Sequence, residues 1–110
     1  MTYAAPSSKV ELPLNAIEAL CRKYGVEELS VFGSVLRDDF GPDSDVDFLV
    51  RFRNGDAGPW MSKFDELAKE LSALLGRKVD VVDRGGIERS PNYLRRQHVL
   101  SSAKVIYVAR

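Results

Sequence analysis

The sequence predicts one α/β domain in which a small mixed β-sheet is packed by helices. Apolar residues recur at helical spacing over Leu14–Tyr24 and alternate with other residues over Asp45–Phe52, which indicates a helix and a half-buried strand respectively. A chain of 110 residues has the length of a single domain with a modest core. We therefore assign residues 10–110 to one domain and expect residues 1–9, which are mostly small and polar, to be disordered.

Helices and strands are predicted in turn along the chain. The first helix covers about Leu14–Tyr24, and the thiol of Cys21 is expected to be buried on its apolar face. The later elements are a strand at Leu29–Phe32, a short helix at Ser34–Asp39, a strand at Asp45–Phe52, a helix at about Trp60–Leu75, a strand at Val79–Val82, a helix from Pro91 and a final strand ending in Val105–Val108. Ser90 before Pro91 fits an N-cap with proline at the first helical position.

Side chains outside the motifs have simpler interpretations. Along the helix near residues 60–75, apolar residues repeat at helical spacing and are predicted to be core: Trp60, Met61, Phe64, Leu67, Leu71 and Leu74. Gly85 and Gly86 are expected to form a flexible loop after the strand that precedes them. His98, the single histidine, has no cysteine near it in the sequence and is predicted to be a surface or boundary residue rather than a zinc ligand.

A turn that suits phosphate comes after the first predicted strand. Gly33 and Ser34 lead from this strand into the short helix, and free backbone N–H groups at a helix N-terminus bind phosphate oxygens. Gly33 lacks the Cβ that would block this approach, and the Ser34 hydroxyl can donate a hydrogen bond. Arg37 lies about one helical turn later, within reach of the same group. A lone Gly-Ser is usually only a turn. The prediction of a nucleotide site therefore also requires acidic residues at a matching spacing farther along the chain.

Two carboxylates complete the pattern. Asp45 and Asp47 lie two residues apart on a strand, so both side chains point to one face, while the opposite face is an apolar row of Val46, Phe48, Val50 and Phe52. Adjacent like charges repel unless a cation lies between them. Mg²⁺ binds one or two carboxylates together with substrate phosphates. The turn and the acid pair therefore predict one composite site for Mg²⁺ and a nucleoside triphosphate.

A third carboxylate can join this pair. Asp80 lies between Val79 and Val81, which are expected to face the core and so to leave Asp80 on the opposite side. Two-metal phosphoryl and nucleotidyl transfer uses such a set of ligands. We assign Asp45 and Asp47 to bridge two ions, and Asp80 to hold the ion that activates the nucleophile. A register slip of one residue would put Asp83 in the place of Asp80.

These residues resemble a known family. The segment Gly33–Arg37, ten residues between Ser34 and Asp45, and then Asp45-Val46-Asp47 match the G-S-x10-D-x-D pattern of the minimal nucleotidyltransferase (MNT) domain in the DNA polymerase beta-like superfamily. The similarity extends over nearly the whole chain, with Asp80 in the third-acid position. The resemblance implies the polymerase beta-like nucleotidyltransferase fold and magnesium-dependent transfer of AMP from ATP.

The resemblance implies two alternative functions. Many small members are similar to antitoxins paired with a HEPN-domain ribonuclease toxin, which some inactivate by adding AMP to a tyrosine. The chain is then either an active protein adenylyltransferase or a non-catalytic nucleotide-binding antitoxin that neutralises its toxin by complex formation. Three clustered acids favour the enzyme. Their mutual repulsion is costly without a metal ion, and a pure binding module has no need for such a cluster. An acceptor would come from a partner or from a second copy in an oligomer.

Composition disfavours other classes of partner. The chain has 16 Lys and Arg against 16 Asp and Glu, hence no net charge, and no basic stripe that would favour nucleic acid. A single cysteine excludes a disulfide within the chain. No apolar run approaches the length of a membrane span, and no charged segment followed by an apolar one precedes the fold. We expect a cytoplasmic protein that does not bind membranes.

Overall fold

A computed structural model describes residues 2–4, 11–33 and 45–109. The strands are β1 (Thr2–Ala4), β2 (Glu11–Pro13), β3 (Val26–Phe32), β4 (Val46–Phe52), β5 (Val79–Asp83) and β6 (Lys104–Val108). The helices are α1 (Leu14–Tyr24), α2 (Ser62–Leu75), α3 (Arg84–Glu88) and α4 (Tyr93–Ser102). Short 3₁₀ turns cover Arg53–Gly55 and Pro59–Met61. None of the helices in these ranges is long and apolar enough to cross a membrane.

The main sheet is mixed, as predicted. Its strand order is β5-β4-β3-β6, with β3 antiparallel to both neighbours and β4 parallel to β5. Parallel strands need a long crossover connection, and α2 provides it between β4 and β5. This parallel pair determines where the acidic residues lie, because it aligns the first residues of β4 and β5 at one end of the sheet.

Apolar side chains cover both faces of this sheet. The row predicted from β4, Val46, Phe48, Val50 and Phe52, is buried against α1 and α2. On the other face, Leu49 packs with Ile87 of α3 and Val99 of α4. Alternate residues of β4 therefore belong to two different cores. Residues an even number of positions from Leu49 along β4 lie on the face that α3 and α4 cover.

The first helix and its thiol agree with the sequence analysis. α1 begins and ends at the predicted residues, Leu14 and Tyr24. Ile17 and Cys21 are buried against the sheet, and burial raises the pKa of the Cys21 thiol to about 12. A thiol that stays protonated is a poor nucleophile and metal ligand, so the side chain acts as a small apolar residue. His98 is exposed, as expected.

The predicted core of α2 is wrong at its two ends. Leu67 and Leu71 are fully buried and Phe64 packs against them, but Trp60 is 100% exposed and Met61 is 56% exposed. Leu74 is partly exposed as well. The helix begins at Ser62 rather than Trp60, because Trp60 and Met61 have left-handed backbone conformations, with φ of 55° and 58°. The apolar spacing thus continues past the point where the helical geometry ends.

Two predictions after β5 are also wrong. Gly85 and Gly86 lie in helix α3 and not in a loop, because the Asp83 side chain accepts a hydrogen bond from Gly85 N at 3.1 Å and caps the helix. The last helix begins at Tyr93, with Asn92 as its N-cap. The Ser90 hydroxyl instead accepts a hydrogen bond from Asn92 N at 3.2 Å, in the turn before the helix.

Strand boundaries differ by a few residues from the predictions. β3 begins at Val26, three residues before Leu29, and β5 extends to Asp83. Thr2–Ala4, expected to be disordered, forms a strand that pairs antiparallel with Glu11–Pro13, and backbone pairing needs no apolar pattern of the kind on which the prediction relied. The predicted helix at residues 34–39 lies outside the described residues.

The exposure of Trp60 leads to a stability prediction. Trp60→Ala should change the free energy of unfolding by no more than about 0.5 kcal/mol, because the side chain loses no buried contact. Leu71→Ala, in the helix that follows Trp60 and fully buried, should cost about 2–5 kcal/mol. Urea denaturation of the two variants measures both values. A loss of about 2 kcal/mol or more for Trp60→Ala would contradict the placement of this side chain.

Candidate nucleotide-binding site

Strand register brings the acidic side chains to one edge of the sheet. In the parallel pairing of β4 and β5, Asp47 lies directly beside Asp80. Asp45 immediately precedes β4, two residues before Asp47, and so points to the same face. The Asp80 side chain is exposed, whereas Asp45 and Asp47 are half-buried. Three carboxylates therefore line the start of two neighbouring strands, on the face that α3 and α4 cover farther along.

Asp83 lies elsewhere in the structure. It pairs with Val50 near the opposite end of β5 and caps α3 through its contact with Gly85 N. Its carboxylate also lies 3.7 Å from the guanidinium of Arg89. These contacts give Asp83 a structural role and remove it from the edge that holds Asp45 and Asp47.

Gly33 joins the predicted phosphate turn to the acids. It has φ of 79°, a left-handed conformation that favours glycine. A Cβ at this position would lie 2.5 Å from Oδ2 of Asp47, closer than non-bonded atoms approach. The strand pairing agrees with this contact, since Phe32 is the partner of Asp47. The Gly33 backbone thus lies directly against the carboxylate of the D-x-D motif.

Lys78, which belongs to none of the predicted motifs, lies beside the same acids. Lys78 Nζ is 3.7 Å from Oδ2 of Asp45, and the Lys78 carbonyl accepts a hydrogen bond from Val46 N at 3.0 Å. Lys78 lies two residues before Asp80, so the period of two puts both on one face. That alternation is visible in the sequence and would have predicted Lys78 as a neighbour of the site.

Ser34 and Arg37, the other two predicted phosphate ligands, lie outside the described residues. Of the predicted phosphate and metal ligands, the structure therefore describes Gly33, Asp45, Asp47 and Asp80. It brings these four to one end of the sheet through the pairs Phe32–Asp47 and Asp47–Asp80.

The donor set fits a divalent cation that is shared with substrate. Among the described residues, no three His, Cys, Asp or Glu side chains are arranged to hold a metal ion by themselves. Mg²⁺ does not require such a cage, because it keeps waters and uses one or two carboxylates plus the phosphates of its substrate. Aligned carboxylates beside a glycine that leaves room at Asp47 Oδ2 match this need.

A cavity of about 570 Å³ lies at the other end of β4, away from the acids. Phe52, Met61 and Phe64 line it, together with charged side chains that include Arg51 and Asp83. Arg51 is 2.6 Å from Glu88, so this charge is already paired. None of the predicted ligands Gly33, Asp45, Asp47 and Asp80 lines this cavity, so it lies apart from the candidate site.

Comparisons with known proteins identify the family of the chain. The family model of the nucleotidyltransferase domain matches residues 15–106, and the chain belongs to this family of nucleotidyltransferases. The resemblance drawn from the motifs and the polymerase beta-like fold are thereby confirmed. The protein adenylyltransferase MntA of Thermococcus cleftensis is 44% identical over 69 residues, which are 63% of this chain and 67% of the relative.

Solved structures with the same fold include toxin-antitoxin complexes. A crystal structure of a toxin-antitoxin with AMP-PNP superposes with a TM-score of 0.66 at 26% identity, and the match covers 90% of this chain and 76% of the other. A second structure contains a tri-AMPylated HEPN toxin of Shewanella oneidensis in complex with an MNT antitoxin. Its TM-score is 0.57 at 26% identity, with 87% of this chain and 70% of the other covered.

Proposed function

We propose that this nucleotidyltransferase transfers AMP from ATP to a hydroxyl group of a partner protein, a tyrosine of a HEPN-domain toxin, and so acts as an antitoxin. The observation that carries the proposal is the alignment of Asp47 with Asp80, with Gly33 in direct contact with Asp47. Gly33, the first residue of the predicted phosphate turn, and the carboxylates of Asp45, Asp47 and Asp80 therefore lie at the same end of the sheet. The T. cleftensis relative, named a protein adenylyltransferase, and the AMPylated toxin of S. oneidensis support the same acceptor class.

Each group in the site has a role in this reaction. Gly33 and Ser34 bind the triphosphate through backbone N–H groups and the hydroxyl, and Arg37 contributes its guanidinium to the same phosphates. Asp45, Asp47 and Asp80 would hold Mg²⁺. When bound, Mg²⁺ neutralises the charge that develops on the phosphate oxygens.

The chemical step is a single displacement at the α-phosphorus of ATP. The acceptor oxygen forms a bond to this phosphorus, and the bond from the α-phosphorus to the bridging oxygen breaks, so that pyrophosphate leaves. Asp80 accepts the hydroxyl proton, since its side chain is exposed beside Asp47 at the edge where acceptor and triphosphate would meet. AMP is then attached to the acceptor through a phosphodiester.

Label transfer to the toxin tests this function. The purified chain is incubated with Mg²⁺, ATP labelled at the α-phosphate and the HEPN toxin proposed as its partner, in parallel with the Asp45→Ala/Asp47→Ala variant. We expect a labelled toxin band with the wild-type chain and none with the variant. Mutation of the toxin's acceptor tyrosine to Phe should remove the band as well.

Two other results would contradict the proposal. If the wild-type chain binds ATP with Mg²⁺ and neutralises the toxin without labelling it, the chain acts as a non-catalytic antitoxin through complex formation. If it binds neither ATP nor Mg²⁺, the nucleotide site itself is wrong. Isothermal titration of ATP in the presence and absence of Mg²⁺ separates these two cases.

A further inference from the structure

We propose that Lys78 is a positioning residue that exchanges partners during nucleotide binding. It pairs with Asp45 in the structure, and it binds the triphosphate when a divalent cation is held by the carboxylates. The inference deepens the proposed function and rests on it. Lys78 belongs to none of the motifs that identify the family, so its role comes from its place in the structure alone.

Backbone geometry fixes Lys78 beside the acids. The hydrogen bond from Val46 N to the Lys78 carbonyl, at 3.0 Å, ties the residue before β5 to the first residue of β4. Because Val46 pairs with Val79 in register, the residues that precede them, Asp45 and Lys78, are neighbours. Their charged atoms are 3.7 Å apart. The position of Lys78 is therefore set by the same pairing that aligns Asp47 with Asp80.

The Lys78 side chain is free to move from this position. It is 78% exposed, and the partner Asp45 is 41% exposed. A solvent-exposed pair at this separation contributes little to stability. The lysine stem is long and flexible, and its ammonium is a compact charge that suits phosphate oxygens. The pair is thus better suited to a change of partner than to holding the fold together.

Electrostatics gives the exchange its direction. Lys78 carries one positive charge beside the Asp45 carboxylate, and a divalent cation interacts with a carboxylate more strongly than an ammonium does. When Mg²⁺ enters with ATP, Lys78 loses its attraction to Asp45 but gains a triphosphate at the same edge. Lys78 should therefore oppose the binding of a metal ion alone and favour the binding of the nucleotide with its metal.

Binding measurements on three variants test this role. Lys78→Met removes the charge, Lys78→Arg keeps it, and Lys63→Met is the matched control. Lys63 also pairs with an aspartate, Asp56, at 3.4 Å, but it packs over Phe52 at the far end of β4. Mn²⁺ binding without nucleotide is measured by electron paramagnetic resonance. ATP binding in the presence of Mg²⁺ is measured by titration calorimetry, and urea denaturation checks the fold.

Opposite changes in the two affinities are the expected signature. Lys78→Met should bind Mn²⁺ about two- to fivefold more tightly, since a competing cation has been removed, and should bind ATP about tenfold more weakly. Lys78→Arg should stay close to wild type in both measurements. Lys63→Met should change neither affinity, and all three variants should remain folded.

A structural role for Lys78 would give a different pattern. If Lys78→Met lowers both affinities together, or leaves both unchanged, the partner exchange is wrong while the nucleotide site stands. If the wild-type chain binds neither Mn²⁺ nor ATP, the proposed function and the role of Lys78 are overturned together. The two failures are therefore distinguished by the wild-type titrations.

Discussion

Asp80→Asn should retain ATP binding and lower AMP transfer by about a thousandfold. The variant keeps the size and hydrogen-bonding oxygen of the side chain but loses the negative charge and the capacity to accept a proton. Asp45 and Asp47 remain, with Gly33 against Asp47, so the triphosphate should still bind. Titration of ATP and the rate of label transfer, measured on the same preparation, separate the two effects.

Asp83→Asn is the matched control for this variant. Asp83 lies three residues farther along β5, where it caps α3 and faces Arg89. Asparagine is also a good N-cap, so the helix should remain intact. Transfer by Asp83→Asn should equal that of the wild type. Loss of transfer in Asp83→Asn, or loss of ATP binding in Asp80→Asn, would contradict the assignment of Asp80 as the acid that activates the acceptor.

Gly33→Ala should impair both folding and transfer. The left-handed φ of 79° costs a non-glycine residue about 1–2 kcal/mol. The new Cβ would also lie 2.5 Å from Asp47 Oδ2, so the carboxylate or the turn must move. A displacement of about 1 Å in a catalytic group can lower the rate about a hundredfold. Denaturation and label transfer measure the two losses.

Gly25→Ala separates backbone strain from the steric conflict. Gly25 has a similar φ of 70°, but a Cβ there would meet nothing within 4 Å. Both variants should lose the stability that the left-handed φ costs, Gly33→Ala should lose more because of its steric conflict, and only Gly33→Ala should lose transfer. Equal activity in both variants would show that contact between Gly33 and Asp47 does not matter for the reaction.

The common face of Asp45 and Asp47 was predictable because strand periodicity is a local property. Asp45 and Asp47 alternate with buried Val46 and Phe48, and this alternation fixes their face without knowledge of the fold. The same reasoning favoured Asp80 over Asp83, and the register of β4 and β5 places Asp80 beside Asp47. Sequence alone could not supply that register, since it depends on a pairing across the α2 crossover.

The errors arose where local backbone geometry overrides a side-chain pattern. Trp60 and Met61 continue the apolar spacing of α2, yet their positive φ values turn both out of the helix. Gly85 and Gly86 have low helix propensity, but the cap from Asp83 and the burial of Ile87 hold them in α3. The spacing of apolar residues reveals neither the left-handed backbone at Trp60 nor the packing of Ile87 that stabilises α3.

Comparison of two labels in ATP tests the central claim most directly. The chain and the proposed HEPN toxin are incubated with Mg²⁺ and ATP labelled at either the α- or the γ-phosphate, and protein-bound label is measured. AMP transfer predicts label on the toxin from α-labelled ATP only, with none from γ-labelled ATP and none with Asp45→Ala/Asp47→Ala. Label from γ-labelled ATP, or α-label that persists in the double variant, would contradict the claim that the chain transfers AMP at the site formed by Asp45 and Asp47.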